Sequence, residues 1–217
     1  MSSVDVILPC LDEAAALPGV LAAIPAGHRA IVVDNGSGDG SPAVAAEHGA
    51  LVVHEARRGY GAAVHTGLEA SDADVVCFLD ADGSMDAGVL ARMVDVVDSG
   101  EADLAVGRRV PAERGAWPWH ARAGNAVLAG LLRRRGLPVH DIGPVRCARR
   151  QALLDLDVRD RAFGYPLELL LRAERAGWRV HELDIDYRPR TAGTKSKVSG
   201  SVRGTTRAVR DMARVLR

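Results

Sequence analysis

Asp80 and Asp82 stand one residue apart, with Gly83 behind them, directly after the apolar run Val75-Val76-Cys77-Phe78-Leu79. An unbroken apolar stretch of this length fits a strand buried on both faces. Two carboxylates at the carboxyl end of such a strand make a hard, all-oxygen, anionic site, suited to Mg²⁺ or Mn²⁺ carrying a diphosphate. The same residues also suit a solvated turn, because Asp and Gly are ordinary turn formers. What separates the two is whether other strand ends converge on the pair, since open α/β sheets bind ligands beyond the carboxyl ends of their parallel strands.

The elements that must position the pair follow from hydrophobic pattern. Residues 4–8, 30–33, 50–54, 75–80 and 102–106 are predicted strands, and they alternate with predicted helices over 12–23, 42–48, 61–70 and 86–97. Strand and helix repeating at this spacing implies βαβ crossovers and a mainly parallel, Rossmann-like sheet with helices on both faces. Pro9 to Glu13 then follow the first strand, Asp34 the second, and Asp80 and Asp82 the fourth. In a parallel sheet these ends share one edge and can line one cleft. Arg58-Gly59-Tyr60-Gly61, just before a helix, could bring backbone N–H groups to a phosphate. The second half is less regular: helices are expected over 117–135 and 166–176, and extended chain over 139–147 and 179–187.

Composition narrows the classes. A 217-residue chain that is 47% hydrophobic has enough apolar material for a real core, and no linker or repeat divides it, so one domain spanning 1–217 is expected. Within it, 1–110 carries the candidate diphosphate and metal site, 111–200 the less regular half, and 201–217 a terminal helix. Lys+Arg and Asp+Glu are 28 each, which argues against nucleic-acid binding driven by overall charge. The balance conceals a basic tail: from Arg188 onward there are nine basic residues and one acidic residue, Asp211. Arg203, Arg207, Arg210, Arg214 and Arg217 step by 4, 3, 4 and 3, forming one stripe on a helix over 201–217. A solvated face, docking on a membrane surface and self-association into a homodimer all remain open for that stripe. The three cysteines, Cys10, Cys77 and Cys147, lack ligand spacing and are expected to be free, buried thiols in a cytoplasmic protein. No run of about 18 apolar residues is present to cross a membrane, and no signal peptide opens the chain.

At this point the chain resembles the family-2 glycosyltransferases of the GT-A fold, most closely the short branch of dolichol- and polyprenyl-phosphate mannosyl- and glucosyltransferases. Six segments carry the likeness, in order. They are Val6-Ile7-Leu8-Pro9-Cys10-Leu11-Asp12-Glu13, the run Val33-Asp34-Asn35-Gly36-Ser37-Gly38-Asp39-Gly40-Ser41, and the run from Gly59 to Gly67. Asp80-Ala81-Asp82-Gly83, Asp141-Ile142-Gly143-Pro144-Val145-Arg146 and the run from Arg190 to Lys197 complete the set. The resemblance implies a metal-dependent inverting transfer of a hexose from a UDP- or GDP-sugar to an acceptor, a polyprenyl phosphate in this branch. It implies that Pro9, Leu11, Glu13 and Asp34 contact the nucleoside, and that Asp80 and Asp82 hold the metal, with Asp82 part of the catalytic machinery. Arg109, Arg122, Arg190 and Lys197 would neutralise phosphates, a task that planar Arg forks and a mobile Lys suit. Asp141 would position the acceptor or act as general base, although an ionised phosphate acceptor needs no strong base.

Departures from the family pattern matter as well. Tyr60 stands where a Lys is usual, leaving Arg57 or Arg58 to supply the missing cation. Pro144 and Val145 make the acceptor segment atypical, and the membrane helices that often follow this catalytic domain are missing. A soluble acceptor is therefore the nearest alternative. Two other classes are a nucleotidyltransferase that makes a sugar nucleotide and a non-catalytic membrane-surface module. The first usually needs a Gly-rich basic loop after the first strand, where this chain has Pro9-Cys10-Leu11-Asp12-Glu13. The second is opposed by the intact Asp80/Asp82 pair. Trp117 and Trp119 flank Pro118 in the loop between the halves, placed for packing or for stacking on a sugar. Glu168 is expected to form an ion pair that supports the cleft.

Overall fold

The computed structural model describes residues 2–113, 116–193 and 202–216. Seven strands form one sheet: β1 (Val4–Cys10), β2 (His28–Asp34), β3 (Leu51–His54), β4 (Val75–Phe78), β5 (Leu104–Pro111), β6 (Arg146–Arg149) and β7 (Val180–Tyr187). Their order across the sheet is β3-β2-β1-β4-β6-β5-β7. The sheet is mainly parallel, as the alternating pattern predicts, with β6 alone running against both of its neighbours. Because β1 through β4 are parallel, their carboxyl ends fall on one edge. Cys10 pairs with Asp34, Asp34 pairs with His54, and Ile7 pairs with Phe78. Asp80, two residues past Phe78, is thereby brought level with the end of β1.

Each strand alternates its side chains between two cores. Val4, Val6, Leu8, Val75, Cys77 and Leu79 face one core, together with Leu90 and Met93 of α4 (Val89–Asp98) and Leu17 of α1 (Leu17–Ala22); α2 (Ser41–Glu47) lies on the same side. Ile7, Ile31, Val33, Val76 and Phe78 face the other. That second core is covered by α3 (Tyr60–Ala70), α5 (Trp119–Arg134), α6 (Arg150–Asp155), α7 (Tyr165–Arg175) and α8 (Val202–Val215).

Two expectations are corrected. The first helix begins at Leu17 rather than at residue 12, because the backbone at Asp12 leaves the right-handed helical region. Asp12 adopts a positive φ of 55°, and the N–H groups of Asp12, Glu13 and Ala14 donate to Ser37 Oγ, Ser41 Oγ and Asp39 Oδ2. The segment after β1 is thus moulded onto the loop after β2. The second correction concerns the cysteines. Cys77 and Cys147 sit directly opposite each other in the antiparallel β4–β6 pair and are joined as a disulfide, leaving Cys10 as the free, buried thiol. The sequence separation of 70 residues hid the pair, because only the strand register brings it together.

Gly67 shows how closely α3 lies on the sheet. A Cβ at this position would press into Ile7 and lie 3.0 Å from Val33 Cγ2. Ala is the better helix former by about 1 kcal/mol, yet the clash is with the backs of two buried strands. Gly67→Ala is therefore expected to destabilise the fold by about 1–3 kcal/mol. Urea unfolding should show a lower midpoint at unchanged m; a raised midpoint would mean that propensity outweighs packing here.

Candidate active site

The strand ends enclose a cavity of about 580 Å³, within the size range of small-molecule sites. Pro9, Cys10, Leu11 and Glu13 line it from the end of β1, Asn35 and Arg58 from the ends of β2 and β3, and Asp80, Ala81 and Asp82 from the end of β4. The convergence predicted from the strand pattern is therefore present.

The wall at the ends of β2 and β3 is built on the hydrogen bonds of one side chain. Asn35 Nδ2 donates to the carbonyls of Glu55 and Arg57 at 2.8 Å each, and Gly59 N–H donates to Asn35 Oδ1 at 2.8 Å. One side chain thus ties the loop after β3 to the end of β2. Asp34 lies beneath this wall rather than in it, 6% exposed. Its Oδ1 accepts from Ser37 N–H at 2.9 Å, and its Oδ2 lies 3.2 Å from His54 Nδ1. Burial alone would raise the Asp34 carboxyl, but the Ser37 hydroxyl and amide and His54 outweigh it, holding Asp34 below the usual carboxylate range. Cys10 is pushed up to about 11 by burial, so its thiol stays protonated and inert although it lines the cavity.

The Gly59-Tyr60-Gly61 turn does not act as the expected phosphate cradle. Gly61 N–H donates to the Ala162 carbonyl at 3.0 Å, and Ala62 N–H to the Arg161 carbonyl at 2.9 Å. The glycines serve close approach instead. A Cβ on Gly61 would lie 2.7 Å from Asp160 O and 2.8 Å from Tyr165 Cβ. The 159–164 loop that occupies this space is fixed by Glu168, which accepts from Arg159 and Asp160 N–H and ion-pairs Arg172 at 2.6 Å, as expected for a residue that supports the cleft. Of the two arginines considered as substitutes for the usual Lys, Arg58 lines the cavity and lies against Gly36.

Asp82 is 2% exposed, and its Oδ1 accepts from Ser84 N–H at 2.9 Å. Its Oδ2 is 2.8 Å from Arg190 Nη1, which also lies 3.8 Å from Glu13 Oε1. The distant Arg190 segment is held there by backbone bonds: Arg188 N–H to the Ser84 carbonyl and Thr191 N–H to the Asp82 carbonyl. Asp80 is half-buried. Its carboxyl is pushed up to about 6 by burial and by the charge on Asp82, against the pull of Arg190, Arg109 and Arg146. The edge therefore carries more negative charge than its surroundings comfortably hold. Among the described residues no cluster of three His, Cys, Asp or Glu could hold a metal unaided. Two carboxylates do fit a Mg²⁺ or Mn²⁺ ion that arrives with its own phosphate oxygens.

Asp141 lies below the cavity surface, 1% exposed, and four donors engage it. Arg109 contributes its backbone N–H at 2.9 Å and its Nε and Nη2 at 2.8 Å each, and Gly143 N–H donates to Oδ1 at 3.0 Å. Burial opposes the Arg109 charge, but Asp141 outweighs it and keeps the guanidinium firmly protonated. The guanidinium also stacks on Trp117 at 4.1 Å and on Tyr187 at 5.6 Å from the ring centroids. Trp117 thus packs on Arg109, while Trp119 points outward and is 80% exposed. A cation that sequence reasoning did not single out lies nearby. Arg146 is 1% exposed, donates through Nη2 to the Ile142 carbonyl, and is held below the usual arginine range by burial. Tyr60, facing the same region, has its hydroxyl pushed up by burial and by Asp80, so it stays neutral.

The far wall is mostly apolar: Ile142, Gly143 and Pro144, then Ala162, Phe163 and Pro166, then Arg207, Ala208 and Met212 of α8. The terminal helix therefore closes the site, which the arginine periodicity alone did not reveal. Its apolar residues Met212, Val215 and Leu216 pack inward, and Val209 is left 62% exposed. Arg122 is exposed on α5 and does not line the cavity. Lys197 and Arg217 lie outside the described residues, and the side chain of Arg203 is likewise not described.

The family model for glycosyl transferase family 2 matches residues 5–156, more than half of the chain. The chain belongs to that family. An uncharacterised glycosyltransferase of Mycobacterium tuberculosis is 59% identical over 215 residues, covering 99% of this chain and 98% of that one. Polyprenol monophosphomannose synthase of Mycolicibacterium smegmatis is 34% identical over 220 residues, covering 90% and 81%. Dolichyl-phosphate hexose transferase of Haloferax volcanii is 32% identical over 195 residues, covering 88% and 85%. Among solved structures, glucosyl-3-phosphoglycerate synthase of M. tuberculosis, crystallised with Mn²⁺, UDP and its product, superposes with a TM-score of 0.79 at 21% identity, over 99% of this chain and 78% of that one. That likeness shows the GT-A fold. The protein is a glycosyltransferase, so neither the nucleotidyltransferase nor the non-catalytic module describes it. Among the described residues, no helix is long and apolar enough to cross a membrane.

The setting of Asp141 separates its two candidate roles. As a buried partner of Arg109, its removal leaves a guanidinium uncompensated, and Asp141→Ala should cost about 3–5 kcal/mol of stability. A free base would instead lose turnover with an unchanged urea midpoint.

Proposed function

We propose that this glycosyltransferase moves a hexose from a nucleoside-diphosphate sugar to a polyprenyl phosphate, with a divalent metal and with inversion at the anomeric carbon. The observation that carries this reading is the Asp80/Asp82 edge, with Arg190 paired to Asp82, facing an apolar wall across one cavity. Pro9, Leu11 and Glu13, with Asn35, would hold the nucleoside, and Asp34 would fix the wall from below. Asp80 and Asp82 would hold the metal, which when bound supplies positive charge to the departing diphosphate.

The remaining work falls to the chain's own residues. Arg190 bridges Asp82 and Glu13, so it is placed to trade a carboxylate for a diphosphate oxygen. Arg58 and Arg207 border the same cavity, and Lys197 belongs to the Arg190 segment; all can add positive charge. The acceptor oxygen attacks the anomeric carbon, the bond from that carbon to the diphosphate oxygen breaks, and the electron pair leaves with the nucleoside diphosphate. A phosphate acceptor is already ionised, so no proton has to be removed. Asp141 accordingly acts by holding Arg109 in a fixed orientation beside the acceptor wall, and Arg122 meets the acceptor only from the exposed face of α5. Support for the lipid acceptor comes from the relatives that act on polyprenyl and dolichyl phosphates and from the apolar wall of Ile142, Pro144, Phe163 and Met212.

Titration with UDP- and GDP-sugars, with and without Mn²⁺ or Mg²⁺, tests the donor half. Metal-dependent binding of one nucleotide class is expected. Asp82→Ala should abolish it, and Arg190→Ala should lower kcat by about 10²–10³-fold. No nucleotide binding, or an Asp82→Ala variant that binds and turns over normally, would sink the proposal. Transfer to soluble acceptors but never to polyprenyl phosphate would reassign the acceptor.

A further inference from the structure

We infer that the outward face of α5 docks on the headgroup region of an anionic lipid bilayer; this rests on the lipid-acceptor reading and adds to it the surface that meets the membrane. Trp119, Val127 and Leu131 are 80%, 65% and 38% exposed. They follow one another at intervals of eight and four residues, with exposed Ala123 between the first two, so they lie along one stripe of the helix. Large apolar side chains exposed singly are ordinary, but a stripe of them on one helix marks a contact surface.

Charge identifies the partner. From Ala116 to Leu137 the sequence contains no Asp or Glu, while Arg122, Arg134 and Arg135 are exposed beside the stripe. A helix with an apolar stripe, a Trp at one end and an unopposed basic rim suits the interface of an anionic membrane, where indole rings and arginines both find partners. A second copy of the chain fits poorly. A two-fold contact through this helix would bring like-charged arginine rims together with no carboxylate of α5 to answer them. The terminal helix α8 is the weaker anchor. Met212, Val215 and Leu216 pack inward and leave only Val209 exposed among its described large apolar side chains, and Arg210 and Arg214 lie 3.6 and 3.5 Å from the buried carboxylate of Asp211.

The inner face of α5 links the surface to the site. Asn125 Oδ1 accepts from Ile142 N–H at 3.0 Å, Asn125 Nδ2 donates to the His140 carbonyl, and Arg133 donates to the Val139 carbonyl at 3.0 Å. Ile142 and its neighbours form the cavity wall opposite the carboxylates, so a bilayer against α5 lies behind the acceptor side.

Co-sedimentation of the full chain with phosphatidylcholine vesicles, with and without phosphatidylglycerol, tests this directly. The wild type should pellet with the anionic vesicles and lose binding as salt is raised. Val127→Glu combined with Leu131→Glu should weaken binding by about tenfold or more, because two apolar contacts are replaced by charges the surface repels. Both positions are exposed, so the thermal melt should be unchanged. Should that variant fold poorly, Trp119→Phe provides the second measurement: it should still pellet but lose most of the fluorescence quenching by brominated lipid chains. Absence of anionic pelleting, equal pelleting of the Glu variant, or quenching unchanged in Trp119→Phe would overturn the inference. So would light scattering that shows a dimer which the Glu variant dissociates. Calorimetric donor binding without vesicles reads the transferase site separately, so a failure of docking and a failure of the catalytic reading give different results.

Discussion

The structure depends on keeping like charges together at one edge of a sheet. Parallel register brings Asp80 and Asp82 level with the end of β1, where Glu13 already stands, and none of the three can retreat far into solvent. Burial first, and repulsion from Asp82 second, raise the Asp80 carboxyl. Arg190 relieves part of that repulsion, arriving from a segment more than a hundred residues away and pinned by backbone bonds to Ser84 and Asp82. A site that binds a cation and a diphosphate together must hold such an imbalance before they arrive. Under the proposed function, pairing every carboxylate fully would leave nothing for a metal to neutralise.

A second compensated pair organises the other half. Asp141 and Arg109 are buried together, and each would be costly alone. Stacking Arg109 on Trp117, with Tyr187 beside it, fixes the guanidinium plane and anchors the chain leaving β5. Two buried charge systems therefore flank the cavity. One is left short of positive charge, and the other is closed by four donors on a single carboxylate. The first is chemically open, and the second is structural support for what lies above it.

The donor half was legible in the sequence because buried parallel strands leave continuous apolar runs, and because polar residues at their carboxyl ends need no further information to be placed on one edge. Asp80, Asp82, Glu13 and Arg190 follow from that logic and from the family pattern. What escaped depended on contacts between distant loops. Gly59 and Gly61 have the composition of a phosphate cradle, yet the Gly59 N–H is taken by Asn35 Oδ1 and those of Gly61 and Ala62 by the carbonyls of residues 162 and 161. No local pattern announces that a neighbouring loop will claim them. The late start of α1 also reflects a distant loop, since Asp12 takes a positive φ of 55° where Ser37, Ser41 and Asp39 hold the N–H groups of residues 12–14. Cys77 and Cys147 met only through the register of an antiparallel strand inserted into a parallel sheet.

The two walls of the cavity differ in how they are held, and this bears on what each can specify. Strands β1, β2 and β4 are buried on both faces and hydrogen-bonded to neighbours on both sides, so the carboxylate edge cannot shift without disturbing both cores. The apolar wall rests on fewer ties. Asn125 fixes Ile142, the 159–164 loop leans on Glu168, and α8 is seated by Met212, Val215 and Leu216. Substitution in such loops and helix faces is tolerated far better than in a central sheet. The carboxylate edge is therefore fixed by the fold, whereas the apolar wall is lined by side chains that can be replaced. The same division explains why Pro144 and Val145 can depart from the family pattern while the Asp80/Asp82 edge does not.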